Sequence, residues 1–129
     1  MTPAGGAVGD EAELEAIEAR LQAILDPYRD RLEAFDIYGV PMLRRPGARA
    51  HEWFAGVNRG NGVVRFSLLP MHRHPELLDG LSPELRKRKR GASLFAFARI
   101  DDAQVAELRA LVARSFEVDE QDSRPPVRG

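Results

Sequence analysis

The first pattern along the chain is an apolar stripe with the spacing of an α-helix. Asp10 stands just before the stripe and is a suitable N-cap, and acidic residues follow it in the first turn. Pro27 lies inside the stripe and must kink or divide the helix, because proline has no backbone N–H. The stripe consists of Leu14, Ile17, Leu21, Ile24, Leu25, Tyr28 and Leu32.

Three segments with strand character follow. Residues 37–43 are rich in β-forming side chains, but a glycine and a proline interrupt them, which predicts an edge strand. Residues 53–57 and 63–68 each alternate between two faces, and the turn sequence Arg59-Gly60-Asn61-Gly62 lies between them. This combination predicts an antiparallel hairpin.

The second half of the chain predicts short helices, a fourth strand and a last helix. Ser82-Pro83-Glu84 is typical of a helix start, and the five bases at 86–90 end that helix before Gly91. Residues 93–99 predict a strand that is apolar on both faces. The last helix begins at Asp101 or Asp102 and buries the stripe Val105, Leu108, Leu111, Val112 and Phe116.

These elements have the order α-β-β-β-α-β-α and predict an α+β fold. Four or more antiparallel strands would form one sheet, with the N- and C-terminal helices packed on the same face. Residues 10–118 are expected to form a single domain, and residues 1–9 and 119–129 are expected to be disordered tails. The second face of the fourth strand then needs cover from the short helices, a partner subunit or a ligand.

Composition is that of a globular protein: the chain has 129 residues, 43% of them apolar and 30% charged. No stretch of about 20 apolar residues is present, so no membrane-spanning helix and no membrane partner are predicted. The N-terminus has no secretory signal pattern. Cysteine is absent, which excludes thiolate chemistry and disulfides and fits a reducing, cytoplasmic environment.

The formal charge of −1 conceals a basic middle segment. Residues 43–100 contain twelve bases and four acids, and the segments on both sides are acidic. Either acidic helices pair with a basic sheet inside the fold, or the basic segment binds an anionic partner. The densest part of it is the run Arg86, Lys87, Arg88, Lys89 and Arg90.

The basic run has two interpretations. It could bind phosphates and so make the protein a nucleic-acid-associated one. It also ends a predicted helix, where cations interact favourably with the helix dipole. No aromatic residues are interleaved with it, although single-stranded nucleic-acid sites use them for stacking. Nucleic acid is therefore the least favoured of the partners considered.

Several segments resemble YdhG-like proteins, a group consisting mostly of domains of unknown function. They are the early element Tyr38-Gly39-Val40-Pro41 and residues 66–71, 75–78, 81–88, 91–97 and 102–116. The similarity extends over residues 12–117. It implies an α/β sandwich related in fold to frataxin, and at least one branch of the group is thought to act as an iron chaperone.

Iron handling of that kind would use carboxylates on the first helix. Glu11, Glu15 and Glu18 lie on one stripe at helical spacing, and carboxylate oxygens are hard ligands that could hold iron. The alternative is an ordinary solvated helix face, with acids placed by the helix dipole. Iron is thus the one cofactor the sequence suggests.

Binding without catalysis is the function that the sequence favours. No nucleophile motif, phosphate loop or metalloprotease motif is present. We expect a non-enzymatic binding module for a small ligand, a metal ion or a protein partner, possible also as a homodimer; the alternatives are the frataxin-like iron chaperone and the nucleic-acid-associated protein. The candidates for a pocket are aromatic side chains on the predicted strands, Tyr38, Trp53 and Phe66, with Arg44 or Arg65 as a polar anchor.

Overall fold

The computed structural model describes residues 10–123 and confirms the α+β class. Two long helices, α1 (Glu11–Leu25) and α4 (Asp102–Ser123), lie at the two ends of these residues, with five strands and two short helices between them. The predicted N-terminal tail, residues 1–9, and the last part of the predicted C-terminal tail, residues 124–129, lie outside the described residues.

The start and end of α1 agree with the sequence. The Asp10 carboxylate accepts a hydrogen bond from the Glu13 N–H at 2.8 Å, and the Glu13 carboxylate accepts one from the Asp10 N–H at 3.3 Å. This reciprocal cap satisfies two of the free N–H groups at the helix start. Pro27 then divides the apolar stripe, because the chain continues as a 3₁₀-helix over Asp26–Arg31.

The sheet is an antiparallel meander in which each strand pairs with its neighbour along the chain. Short hairpin connections of this kind allow antiparallel pairing without a crossover. The strands are β1 (Glu33–Ile37), β2 (Val40–Arg44), β3 (Trp53–Gly60), β4 (Val63–Leu68) and β5 (Leu94–Phe97).

The first hairpin corrects the expectation of one edge strand over residues 37–43. Tyr38 and Gly39 both have positive φ, at 50° and 82°, so the chain reverses within two residues and Ile37 pairs with Val40. Tyrosine rarely adopts this conformation. Of the two turn residues, only Gly39 is therefore typical of a two-residue hairpin turn. The hairpin between β3 and β4 turns at Asn61-Gly62, as predicted.

The short helices are α2 (Pro70–Arg73) and α3 (Pro83–Arg86). The Ser82 hydroxyl caps α3 as predicted, accepting a hydrogen bond from the Leu85 N–H at 3.2 Å. α3 ends at Arg86, four residues before the predicted end. The reason is that residues 88–90, here called the edge segment, leave the helix to pair with β5.

Two backbone hydrogen bonds hold the edge segment against β5. The Arg90 N–H donates to the Leu94 carbonyl oxygen at 2.6 Å, and the Ala96 N–H donates to the Arg88 carbonyl oxygen at 2.8 Å. The edge segment therefore protects the outer side of β5, which would otherwise expose unpaired backbone groups.

Both long helices pack on one face of the sheet, which we call the helix face, and α2 and α3 pack against α4. Strand side chains alternate, so every second residue of β4 and β5 points toward the helices. The fully buried side chains on these two strands are Val64, Phe66, Leu68, Phe95 and Phe97.

A β-bulge adds one more aromatic ring to the helix face. The pairing of β2 with β3 skips Phe54, although its neighbours Trp53 and Ala55 both have partners on β2. An extra residue of this kind bends the strand and redirects its side chain. Phe54 is fully buried, and its ring meets the ring of Phe116 edge-on at 5.5 Å.

The last helix is longer than predicted: α4 continues to Ser123, whereas the ordered domain was expected to end at residue 118. Asp119 explains the extension, because its buried carboxylate forms an ion pair with Arg45 at 2.9 Å. The Arg45 guanidinium also lies 5.4 Å from the ring centroid of Phe116. No helix within residues 10–123 combines the length and the apolar character needed to cross a membrane.

Two glycines of β3 provide a matched test of the packing. A Cβ atom at Gly56 would overlap Met42 Sδ and lie 2.8 Å from the Pro41 carbonyl oxygen. A Cβ atom at Gly60 would meet only the mobile end of Arg65, with Nη1 2.9 Å away. We expect Gly56→Ala to lower the free energy of unfolding by about 2 kcal/mol, and Gly60→Ala by less than about 1 kcal/mol. Urea unfolding measures both, and equal losses would contradict this account of β3.

Candidate functional site

The second face of the sheet, here called the open face, lies opposite α1 and α4. One complete row of residues crosses all five strands on this face, because the register of each strand pair continues into the next. Most of the side chains on this face are half-buried rather than buried. The row runs through Phe35, Met42, Gly56, Ser67 and Leu94.

Two shorter rows flank the complete one. On one side, Asn58 pairs with Arg65, which pairs with Ala96. On the other side, Glu33 pairs with Arg44, and Arg44 is opposite Trp53. The open face therefore has an aromatic and arginine-containing end on β1–β3 and a second arginine-containing end on β4 and β5.

At the second end, the open face and the edge segment enclose a groove of about 450 Å³. Its lining combines arginines with small and aliphatic side chains, and no carboxylate of residues 10–123 lines it. We call this feature the arginine groove. Its lining residues are Val63, Arg65, Arg88, Arg90, Leu94, Ala96 and Ala98.

The three arginines differ in how they are held. Arg90 is fixed by the backbone, since its Nη1 donates to the carbonyl oxygens of Lys87 at 2.7 Å and Lys89 at 3.0 Å. The Nε of Arg88 is buried and has no hydrogen-bond partner in the described part of the chain. Arg65 and Arg88 form no ion pair with any carboxylate of residues 10–123. Two guanidinium groups are thus available to an anion.

The structure separates the five residues predicted to line a pocket. Arg65 lies in the arginine groove. Arg44 and Trp53 lie at the other end of the open face. Tyr38 is fully exposed at the tip of the first hairpin. Phe66 is fully buried on the helix face, so grouping it with Arg65 is corrected, because adjacent strand residues point to opposite faces.

A stacked pair organises the first end of the open face. The Arg44 guanidinium carbon lies 4.3 Å from the ring centroid of Phe35, a distance typical of a cation–π contact. The Nε of Arg44 also donates to the Glu33 carboxylate at 2.8 Å. Trp53 is half-buried beside this pair, opposite Arg44 in the register.

The basic run does not act as one unit. Arg86 turns back and donates to the carbonyl oxygens of Leu78 at 2.7 Å and Leu81 at 3.2 Å. Lys89 donates to the Gly91 carbonyl oxygen at 2.5 Å. Only part of the run therefore reaches the groove. The sequence could not show this, because it depends on the pairing of the edge segment with β5.

Two of the three carboxylates proposed to hold iron form ion pairs with an arginine instead. Arg59 of β3 lies 3.0 Å from a Glu11 oxygen and 3.1 Å from a Glu18 oxygen, whereas Glu15 is exposed. Within residues 10–123, no group of three or more His, Asp or Glu side chains is arranged to hold a metal ion. The geometry gives Glu11 and Glu18 a role in joining α1 to the sheet.

Two other cavities have mixed charge. The larger, of about 560 Å³, lies between α1 and the start of α4, and arginines and carboxylates such as Arg20 and Glu13 both line it. The other, of about 330 Å³, lies at the end of α4 between Arg45, Arg73 and Asp119. In each of them, lining carboxylates offset the arginines. Arg88 lines both the larger cavity and the arginine groove, but all the charged side chains of residues 10–123 that line the arginine groove are cations.

Comparisons of this chain with models of known families, with characterised proteins and with solved structures give no match. The resemblance to YdhG-like proteins therefore stays a prediction.

The end of α4 is also held by a histidine. His74 Nε2 lies 2.8 Å from an Asp122 oxygen, and Nδ1 lies 3.3 Å from a Glu76 oxygen. The hydrogen bond to Asp122 raises the pKa of His74 above its ordinary value of 6.5, and Glu76 adds to the effect. The charged imidazole thus stabilises the fold below about pH 6.5, and this contribution is lost as the pH rises through the pKa of the folded state.

We expect His74→Gln to lower the free energy of unfolding by up to about 1 kcal/mol at pH 5.5 and by less at pH 8.5. Urea unfolding of both proteins at the two pH values tests this. His72→Gln is the matched control, because His72 is exposed on the same turn. A loss for His74→Gln that is equal at both pH values would show that the imidazole charge does not hold α4.

Proposed function

We propose that this protein is a non-enzymatic binding module that holds an anionic group of a ligand in the arginine groove. The single observation that carries the proposal is that Arg65 and Arg88 line a groove to which the described residues contribute no carboxylate. Guanidinium groups form strong, often bidentate hydrogen bonds with carboxylate and phosphate oxygens. No carboxylate of residues 10–123 forms an ion pair with Arg65 or Arg88, so an anion would supply their countercharge.

The composition of the groove suits a small ligand with an anionic group. Its volume of about 450 Å³ lies within the range of about 300–1,000 Å³ found for small-molecule sites. The floor formed by Val63, Leu94 and Ala96 offers apolar contact, and the arginines at the rim provide orientation. Sites of this type combine an apolar surface with a few fixed polar groups.

The distribution of charge over the molecule also favours binding of an anion at the open face. α1 carries four glutamates and one arginine, and α4 carries six acids and two arginines. An approaching anion is repelled by the helix layer and attracted by the open face. Such asymmetry raises the rate of productive encounter with a charged partner.

The remaining parts of the proposal rest on the sequence. The absence of cysteine supports action in a reducing compartment such as the cytoplasm. The YdhG-like resemblance supports membership of a group whose members are mostly without an assigned activity. Neither observation names the ligand.

Inorganic pyrophosphate is a simple probe of the groove, because its oxygens can accept several hydrogen bonds at once. We expect it to bind the full chain with an affinity that decreases as salt is added. Arg65→Gln and Arg88→Gln should each weaken binding by about tenfold or more, the effect of losing one charge-assisted hydrogen bond of about 1.5–3 kcal/mol. Isothermal titration calorimetry measures the dissociation constants.

Arg109→Gln is the matched control, because Arg109 is exposed on α4 and removes the same charge far from the groove. It should bind pyrophosphate as the unchanged protein does. Equal weakening by all three substitutions would mean that only net charge matters and would contradict a site. No binding at all by the unchanged protein would contradict the proposal directly.

A further inference from the structure

We propose that the open face as a whole binds single-stranded nucleic acid, with phosphates in the arginine groove and bases stacked at the Phe35–Arg44–Trp53 end. This inference rests on the proposed function of the groove and names the class of its ligand. The observation behind it is the placement of half-buried aromatic rings and of arginines without an ion pair on one sheet face that no helix of residues 10–123 covers.

The two ends of the open face are joined by the complete row from Phe35 to Leu94. This row crosses five strands, which is four interstrand spacings of about 4.8 Å, or about 19 Å in all. Leu94 lines the arginine groove, so the row leads from the aromatic end directly into it. A ligand that uses both ends must be extended over roughly this distance, as a nucleic-acid strand of several nucleotides is.

The aromatic end has the chemistry of a base-stacking platform. Bases stack on aromatic rings and on arginine guanidinium planes, and this stacking is tolerant of sequence. Phe35 and Arg44 are already stacked, at 4.3 Å from guanidinium carbon to ring centroid, and the Glu33 carboxylate holds Arg44 in place. Trp53 lies opposite Arg44 and is half-buried, so part of its surface is open.

Two glycines of β3 remove side chains from the open face. Gly56 lies in the middle of the complete row, and Met42 lies across the space that its missing side chain leaves. Gly60 leaves similar space for the end of Arg65. Close approach of a strand or a ligand is a common reason for glycine inside a β-strand.

Two other occupants fit the open face less well. A second copy of this chain packed face to face would bring its own arginines toward those of the first copy, and like charges at an interface are destabilising. Duplex DNA presents its bases inside grooves that admit a helix or a narrow ribbon, which a broad five-stranded face cannot enter. A flexible single strand avoids both difficulties.

The sequence argued against this partner because the basic run has no interleaved aromatic residues. The structure supplies those residues from elsewhere, since Phe35 of β1 and Trp53 of β3 share the open face with Arg88 of the edge segment. The combination of stacking and charge is therefore present in the fold although it is absent from any one segment.

The experiment is fluorescence anisotropy with the full chain and a labelled oligothymidylate about ten nucleotides long. We expect binding that weakens with salt, and no comparable binding of a duplex of the same length. Trp53→Leu and Phe35→Leu keep an apolar side chain but remove the ring, and each should weaken oligothymidylate binding about tenfold or more. Thermal unfolding of both variants identifies any that does not fold, and either one alone is a sufficient test.

Pyrophosphate titration of the same variants separates this inference from the proposed function. Trp53→Leu and Phe35→Leu should bind pyrophosphate as the unchanged protein does, whereas Arg65→Gln should weaken both ligands. If oligothymidylate binds but neither ring substitution weakens it, or if only pyrophosphate binds, the nucleic-acid inference is overturned and the groove remains. If Arg65→Gln and Arg88→Gln affect neither ligand, the proposed function fails as well.

Discussion

Burial of phenylalanine rings beneath α1 and α4 determines which way the strands of the sheet face. Phe66, Phe95 and Phe97 are fully buried on the helix face, and their strand neighbours must point the other way. Arg65, Leu94 and Ala96 are those neighbours, and all three line the arginine groove. A shift of one residue in the register of β4 or β5 would expose the rings and bury Arg65, at a cost of several kcal/mol. The composition of the open face is thus fixed by the core on the opposite side.

The same one-sided arrangement divides the charges. Arginines that face the helices meet carboxylates: Arg59 pairs with Glu11 and Glu18, and Arg45 pairs with Asp119. Acidic helices and a basic sheet segment therefore do form one fold, as one reading of the charge pattern held. Arg65 and Arg88 form no ion pair with a carboxylate of residues 10–123, although Arg88 also lines the cavity that contains Glu13 and Asp101. The other interpretation of the charge pattern, an anionic partner, is what we propose for these two arginines. Burial raises the pKa of the Asp119 carboxyl, and the nearby Arg45 guanidinium offsets only part of this increase.

The sequence predicted the elements better than their connections. Helical periodicity identified α1 and α4, and Asn61-Gly62 identified the central hairpin, because these signals are local. The first hairpin was missed because Tyr38 occupies a position that usually needs glycine or asparagine. The sequence placed the end of α4 too early, because a charged residue such as Asp119 is typical of a solvent-exposed tail. Its ion pair with Arg45 connects distant segments and is not visible in the sequence. For the site, Arg65 and Trp53 were correctly placed on strands, whereas Arg44 lay just beyond the predicted strand and belongs to β2. Phe66 faces the core, and the role of Arg88 depends on the edge segment. The alternation of side chains along one strand can be predicted from neighbouring residues. The pairing of segments that are distant in the sequence cannot.

The most direct test of the open face as a binding surface is amide chemical-shift mapping of the full chain during titration with pyrophosphate. The account predicts saturable shifts in β4, β5 and the edge segment, with little change in α1 or at the end of α4. The cavity beside α1 shares Arg88 with the arginine groove, but Arg20 and Arg99 line that cavity alone and therefore provide a built-in comparison. Shifts centred on that cavity, or spread evenly over the surface, would contradict the central claim that the uncovered side of the sheet is where this protein meets its ligand.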